Sequence, residues 1–149
     1  MSVKPILEGY QSVIPYITTE NVAGLIDFLK QTFHVTERHK MMTPDGRIGH
    51  AEVQLNDCII MMGQSSENMK AMPVSLYVYV SNTDAVYNRA LAAGATSMME
   101  PANMFYGDRN AGVKDSSGNV WWIGTRIEDL SPEEMKRREQ EWNKQTMAV

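Results

Sequence analysis

Apolar residues recur along this chain in two rhythms: every second position in some stretches, every third or fourth in others. The stretch Pro-Tyr-Ile-Thr-Thr-Glu-Asn at 15–21 is strand-like and ends on Asn21, a helix N-cap candidate. Val22, Leu25, Ile26 and Leu29 then fall at helical spacing and predict a helix over 22–33. Residues 35–42 and 47–55 read as strands flanking the hairpin turn Thr43-Pro44-Asp45-Gly46. Asn56-Asp57 turns the chain into a further strand over 58–63.

The same order returns 61 residues later. Leu-Tyr-Val-Tyr-Val-Ser-Asn at 76–82 repeats the first strand and its cap, and Val86, Ala90 and Leu91 predict a helix over 83–93 closed by Gly94. Residues 95–100 read as a strand, followed by an irregular stretch and a strand over 110–114. Asp115-Ser116-Ser117-Gly118-Asn119 turns the chain into a last strand over 120–125. The 61-residue shift lays Gly118-Asn119 over Asp57-Cys58. Each half therefore reads β-α-β-β-β, with module 1 at about 9–63, a linker at 64–72 and module 2 at about 73–127. Ser131-Pro132-Glu133-Glu134 is a capping box that opens a charged helix over 131–144, with Met135 and Trp142 on one face.

Composition narrows the functional classes. With 149 residues the chain suits one domain made of two small modules. A net charge of −4 argues against nucleic acid or an anionic membrane as partner, and no stretch is long enough to span a membrane. No signal peptide opens the sequence, so the expected location is cytoplasmic. The single cysteine, Cys58, excludes an internal disulfide and reads as a small core residue. Twelve methionines suit flexible core filling or an adaptable apolar pocket.

The segments "IPYITTENVAGLIDFLKQTF", "TPDGRIGHAEVQLND", "VSLYVYVSNTDAVYNRALAAGAT", "MFYGDRNAGVKDSSGNVWWIGT" and "EDLSPEEMKRR" resemble the glyoxalase/bleomycin-resistance, or vicinal oxygen chelate, superfamily, and its PhnB-like branch in particular. The resemblance implies an α+β fold of two tandem βαβββ modules, whose curved mixed sheets surround a shared pocket, plus a C-terminal helix. It also implies a homodimer. Names in this branch suggest ubiquinone methyltransferases, yet no glycine-rich methyl-donor motif follows a strand here.

In metal-using members the ligands come from the first and last strands of each module. Those places map near Ile14 and Ser75, and near Met61 and Trp122, none of which suits a divalent cation. The turn departs as well: many members read Asp-Pro-Phe-Gly-His where this chain has Asp115-Ser116-Ser117-Gly118-Asn119. No cofactor is therefore expected, a divalent metal being the less favoured alternative.

Period-two alternation assigns the pocket face. Ile14 and Tyr16 point inward on the first strand, and Ser75, Tyr77 and Tyr79 on its repeat. His50, Glu52 and Gln54 point inward while Ala51, Val53 and Leu55 face the helix. Met61 and Trp122 complete the face, Trp121 turning away, and Arg109 is expected at the rim, either on an anionic ligand or paired with Asp108 or Asp115. His34 and His39 read as surface residues. This apolar and aromatic set with a few polar groups fits a small-molecule ligand. The favoured function is binding or sequestering an aromatic or amphipathic compound. The alternative is a lyase, isomerase or dioxygenase using His50 and Glu52 for acid–base or metal chemistry. A third reading is an interaction protein whose cavity its own side chains fill.

Overall fold

The structure, a computed structural model, describes residues 2–147. Its first half runs β1 (Tyr16–Thr19), α1 (Val22–Phe33), β2 (Thr36–Met42), β3 (Ile48–Leu55) and β4 (Cys58–Gln64). The second runs β5 (Ser75–Tyr79), α2 (Thr83–Ala92), β6 (Thr96–Asn103), β7 (Asp108–Lys114) and β8 (Val120–Arg126), before α3 (Pro132–Met147). Two four-stranded mixed sheets result, in the orders β1-β4-β3-β2 and β5-β8-β7-β6. In each, the first strand lies parallel to the last and the other neighbours are antiparallel. No described helix is long and apolar enough to cross a membrane.

The chain divides into two compact units. The first holds the chain up to Val74 together with the turn Asp115–Asn119; the second holds Ser75–Lys114 and the chain from Val120 onward. Both helices start as the sequence predicts, because Asn21 accepts from Gly24 N at 2.9 Å and Asn82 accepts from Ala85 N at 3.1 Å. Each such cap is worth about 1 kcal/mol. Alternation sorts the sheet residues. Ile17, Val53 and Met62 are fully buried on the helix side of the first sheet, as are Val113, Trp121 and Ile123 in the second.

Strand register fixes the repeat in space. Tyr16 lies opposite Met61 and Tyr77 opposite Trp122, which preserves the 61-residue offset (122 − 61 = 61). Glu52 opposes Met61 and Gly112 opposes Trp122, an offset of 60 (112 − 52 = 60). The second turn is one residue longer than the first, so the third strand of each unit sits at the shorter offset.

Two expectations change, and one segment without a sequence signal gains a place. The stretch expected to be irregular continues β6 to Asn103, and a register shift between Met99 and Ala102 accommodates Pro101 on this edge strand. Cys58 is exposed rather than part of the core, because it opens β4 at the end of the sheet, beside the turn. The N-terminal segment, which has no periodicity, is nevertheless tied down. The Gln11 amide donates to Ile59 O at 2.7 Å and accepts from Ile59 N at 3.1 Å, standing in for a strand neighbour of β4.

Candidate functional site

Ile14, Tyr16, His50, Glu52, Gln54 and Met61 all belong to the first unit, and its sheet brings most of them together on the face away from α1. Tyr16 crosses Gly63 of the neighbouring strand, where a Cβ would stand 2.6 Å from the phenol oxygen. Its hydroxyl lies 3.2 Å from His50 Nδ1, while His50 Nε2 lies 2.8 Å from Glu52 Oε2. With a neutral imidazole donating from Nε2 to the carboxylate, Nδ1 is left to accept the phenol proton. Gln54 turns away from this row and donates to Asn56 O at 3.1 Å.

Two residues join the site that sequence reasoning left out. Tyr10 donates its hydroxyl to Glu52 Oε1, a contact made across 42 residues of chain that no local pattern signals. His39, expected at the surface, lies directly opposite Glu52 in the ladder, with its ring centroid 6.3 Å from that of His50. Counting back through the hairpin from Glu52 reaches Arg38 instead, because a register shift between Met41 and Met42 moves the pairing on by one residue. Glu52 is 8% exposed. Burial pushes its carboxyl up, but hydrogen bonds from Tyr10 and His50 and the nearby imidazoles outweigh this and hold it below the usual range. The hydrogen bond to Glu52 raises the Tyr10 phenol in turn.

A pocket of about 310 Å³ opens beside this row, between the N-terminal segment and the sheet. Ile14, Met61 and Glu52 form part of its sheet side; Pro5, Ile6, Leu7 and Tyr10 come from the N-terminal segment.

The second unit repeats the scheme with different chemistry. Tyr77 crosses Gly124 as Tyr16 crosses Gly63. Tyr77 and Tyr79 donate to the same oxygen of Asp108, at 2.8 and 2.7 Å, and Arg126 donates to the other at 3.1 Å. Burial raises the Asp108 carboxyl, yet these three donors prevail and its pKa falls below normal. Tyr77 is pushed upward by burial first and by its bond to Asp108 second. The Trp122 indole lies across Gly112 and donates to Ser75 Oγ at 3.1 Å. Asn110, the counterpart of His50 by register, donates to the Tyr106 hydroxyl at 2.7 Å.

Arg109 does not belong to this face. It alternates with Asp108 and Asn110, so it points to the helix side with Ala111 and Val113. There it pairs in bidentate fashion with Asp84 of α2, at 2.6 and 2.9 Å, and reaches Asn103 at 3.0 Å. The expected partners, Asp108 and Asp115, are both otherwise engaged.

The four places mapped for family metal ligands hold unsuitable groups. Ile14 and Met61 line the first unit's pocket, while Ser75 and Trp122 hydrogen-bond to each other. Among the described residues no three His, Cys, Asp or Glu side chains are grouped to hold a metal ion. These four side chains offer no imidazole, carboxylate or thiolate to a divalent cation.

Two βαβββ units in one chain, each building a four-stranded mixed sheet, define the class. Residues 12–123 match the Glyoxalase/Bleomycin resistance protein/Dioxygenase superfamily, and the chain belongs to it. The uncharacterized protein Mb0911c of Mycobacterium bovis is 29% identical over 133 residues, covering 82% of this chain and 88% of that protein. TioX from Micromonospora sp. ML1 shares the fold with a TM-score of 0.68 at 20% identity, over 78% of this chain and 99% of that one. The PhnB protein from Bacillus cereus does so with a TM-score of 0.63 at 20% identity, over 77% and 99%.

Proposed function

We propose that this chain is a cytoplasmic small-molecule-binding protein of the superfamily, a homodimer that binds or sequesters an aromatic or amphipathic compound without a metal. The observation that carries this reading is the pocket of about 310 Å³ in the first unit, walled by Ile14 and Met61 and bordered by the buried Glu52. That combination suits a ligand with an apolar body and one oriented polar group. The donor chemistry at the four mapped positions supports metal-free action.

Calorimetric titration with a panel of aromatic and amphipathic compounds tests the reading, with Ile14→Trp as the pocket-filling control. Saturable binding lost in that variant is expected; no binding by any compound overturns it. Elemental analysis showing stoichiometric metal overturns the metal-free part. Sedimentation velocity checks the dimer.

A second reading, acid–base catalysis, is favoured by the aligned Tyr16, His50 and Glu52. His50→Ala separates the two: an enzyme loses turnover while still binding ligand, whereas a sequestering protein loses only part of its affinity.

A further inference from the structure

The two units treat equivalent places differently. In the second, the Trp122 indole covers Gly112 and bonds Ser75, so its own side chain fills that part of the face. In the first, the matching positions are Met61, Glu52 and Ile14, and a pocket stands there instead. Segment 5–11 closes over it, anchored by Gln11 on Ile59 and by Tyr10 on Glu52.

Among the described residues, Glu52 is the one side chain in the pocket wall that carries an acidic carboxyl or a basic group. Its hydrogen-bond partners are a phenol and an imidazole, with the His39 imidazole across the ladder. The Arg38 guanidinium stands against Gly9 of the N-terminal segment, and its field acts on Tyr10. A buried carboxylate attracts a cation, because the apolar wall screens charge poorly. A second carboxylate brought into this pocket would be repelled. A protonated amine brings the opposite charge and several N–H donors, so it adds ion pairing to the hydrogen bond that the neutral phenol gives this carboxylate.

Building on the binding reading above, we propose that the pocket of the first unit takes a small amphiphile with a protonated amine head, which replaces the Tyr10 hydroxyl on Glu52 while its apolar body lies between Ile6, Leu7, Ile14 and Met61. The mobile thioether of Met61 lets bodies of different shape fit.

The test compares three probes of one chain length, hexylamine, hexan-1-ol and hexanoate, by calorimetry at neutral pH on the full chain. Hexylamine should bind at least about tenfold more tightly than the alcohol, with hexanoate weakest. Glu52→Gln keeps the shape and removes the charge, and should bring amine and alcohol within about twofold of each other. Tyr10→Phe removes the competing donor and should tighten amine binding. Equal or better binding of the alcohol or hexanoate overturns the proposal, as does amine preference surviving in Glu52→Gln or weaker amine binding in Tyr10→Phe. Should Glu52→Gln fail to fold, the wild-type series and Tyr10→Phe still decide. Absence of hexyl binding, alongside panel ligands whose binding Ile14→Trp abolishes, overturns the amine assignment and leaves the broader binding function standing.

Discussion

Tyr16 reaches His50 over a glycine: its ring crosses Gly63 to set the hydroxyl 3.2 Å from Nδ1, just as Tyr77 crosses Gly124 to reach Asp108 at 2.8 Å. The two bridges occupy one place in the repeat, yet end on an imidazole in one unit and on a buried carboxylate in the other.

The glycines should therefore respond unequally to alanine. A Cβ at Gly124 would stand 2.4 Å from the Tyr77 oxygen and 2.7 Å from its ring, so Tyr77 must leave Asp108. Gly124→Ala should destabilise the fold by about 1–3 kcal/mol. Gly63→Ala displaces only the half-exposed Tyr16 and should cost under about 1 kcal/mol. Chemical denaturation of the two variants checks the order, and equal effects would refute the account.

The Asp108 cluster sets both ends of a pH profile. The folded Asp108 pKa is lowered, so its contribution is present above the unfolded carboxylate value, about pH 4, and is lost as pH falls through the folded value. The folded pKa values of Tyr77 and Tyr79 are raised, so their contribution is present below the unfolded phenol value, about pH 10, and fades as pH climbs beyond it. Asp108→Asn should flatten both limbs in thermal melts across pH. Unchanged limbs would contradict the assignment.

Arg109 should prove dispensable for binding. Its pair with Asp84 is partly exposed and lies on the helix side, so Arg109→Ala should cost no more than about 1 kcal/mol and leave ligand affinity unchanged. A large loss of affinity by calorimetry would restore the rim position expected from sequence.

The C-terminal helix is held by few contacts. Trp142 stacks on Phe105 with ring centroids 5.2 Å apart, while Arg138 reaches Glu128 at 2.5 Å and Phe105 O at 3.1 Å. None of its residues is fully buried. Trp142→Ala should speed amide exchange throughout α3 and leave β5–β8 protected. Faster exchange in that sheet as well would show the helix to be part of the unit's core.

Much of this was legible because the deciding forces are local. Period-two alternation in 75–79 and period-3.6 spacing in 22–33 follow from burying one face of a strand or helix, and Asn21 and Asn82 cap because their side chains reach amides three residues on. The 61-residue repeat required only that the same pattern be written twice. The site was legible as far as alternation carried it: His50 and Glu52 on one face, with Tyr16 and Met61 beside them. Arg109 was misplaced because the stretch before residue 110 was read as irregular, and without a strand there was no register to assign its face.

The sequence by itself thus determined the elements, their order and the two faces of each sheet, since those depend on neighbours within a few residues. The tertiary structure alone decided that Tyr10 meets Glu52, that Trp122 fills its own unit's face while Met61 leaves a pocket, and that Tyr77 and Tyr79 share Asp108. These pairings join residues tens of positions apart, and only the packed chain brings them within hydrogen-bond reach.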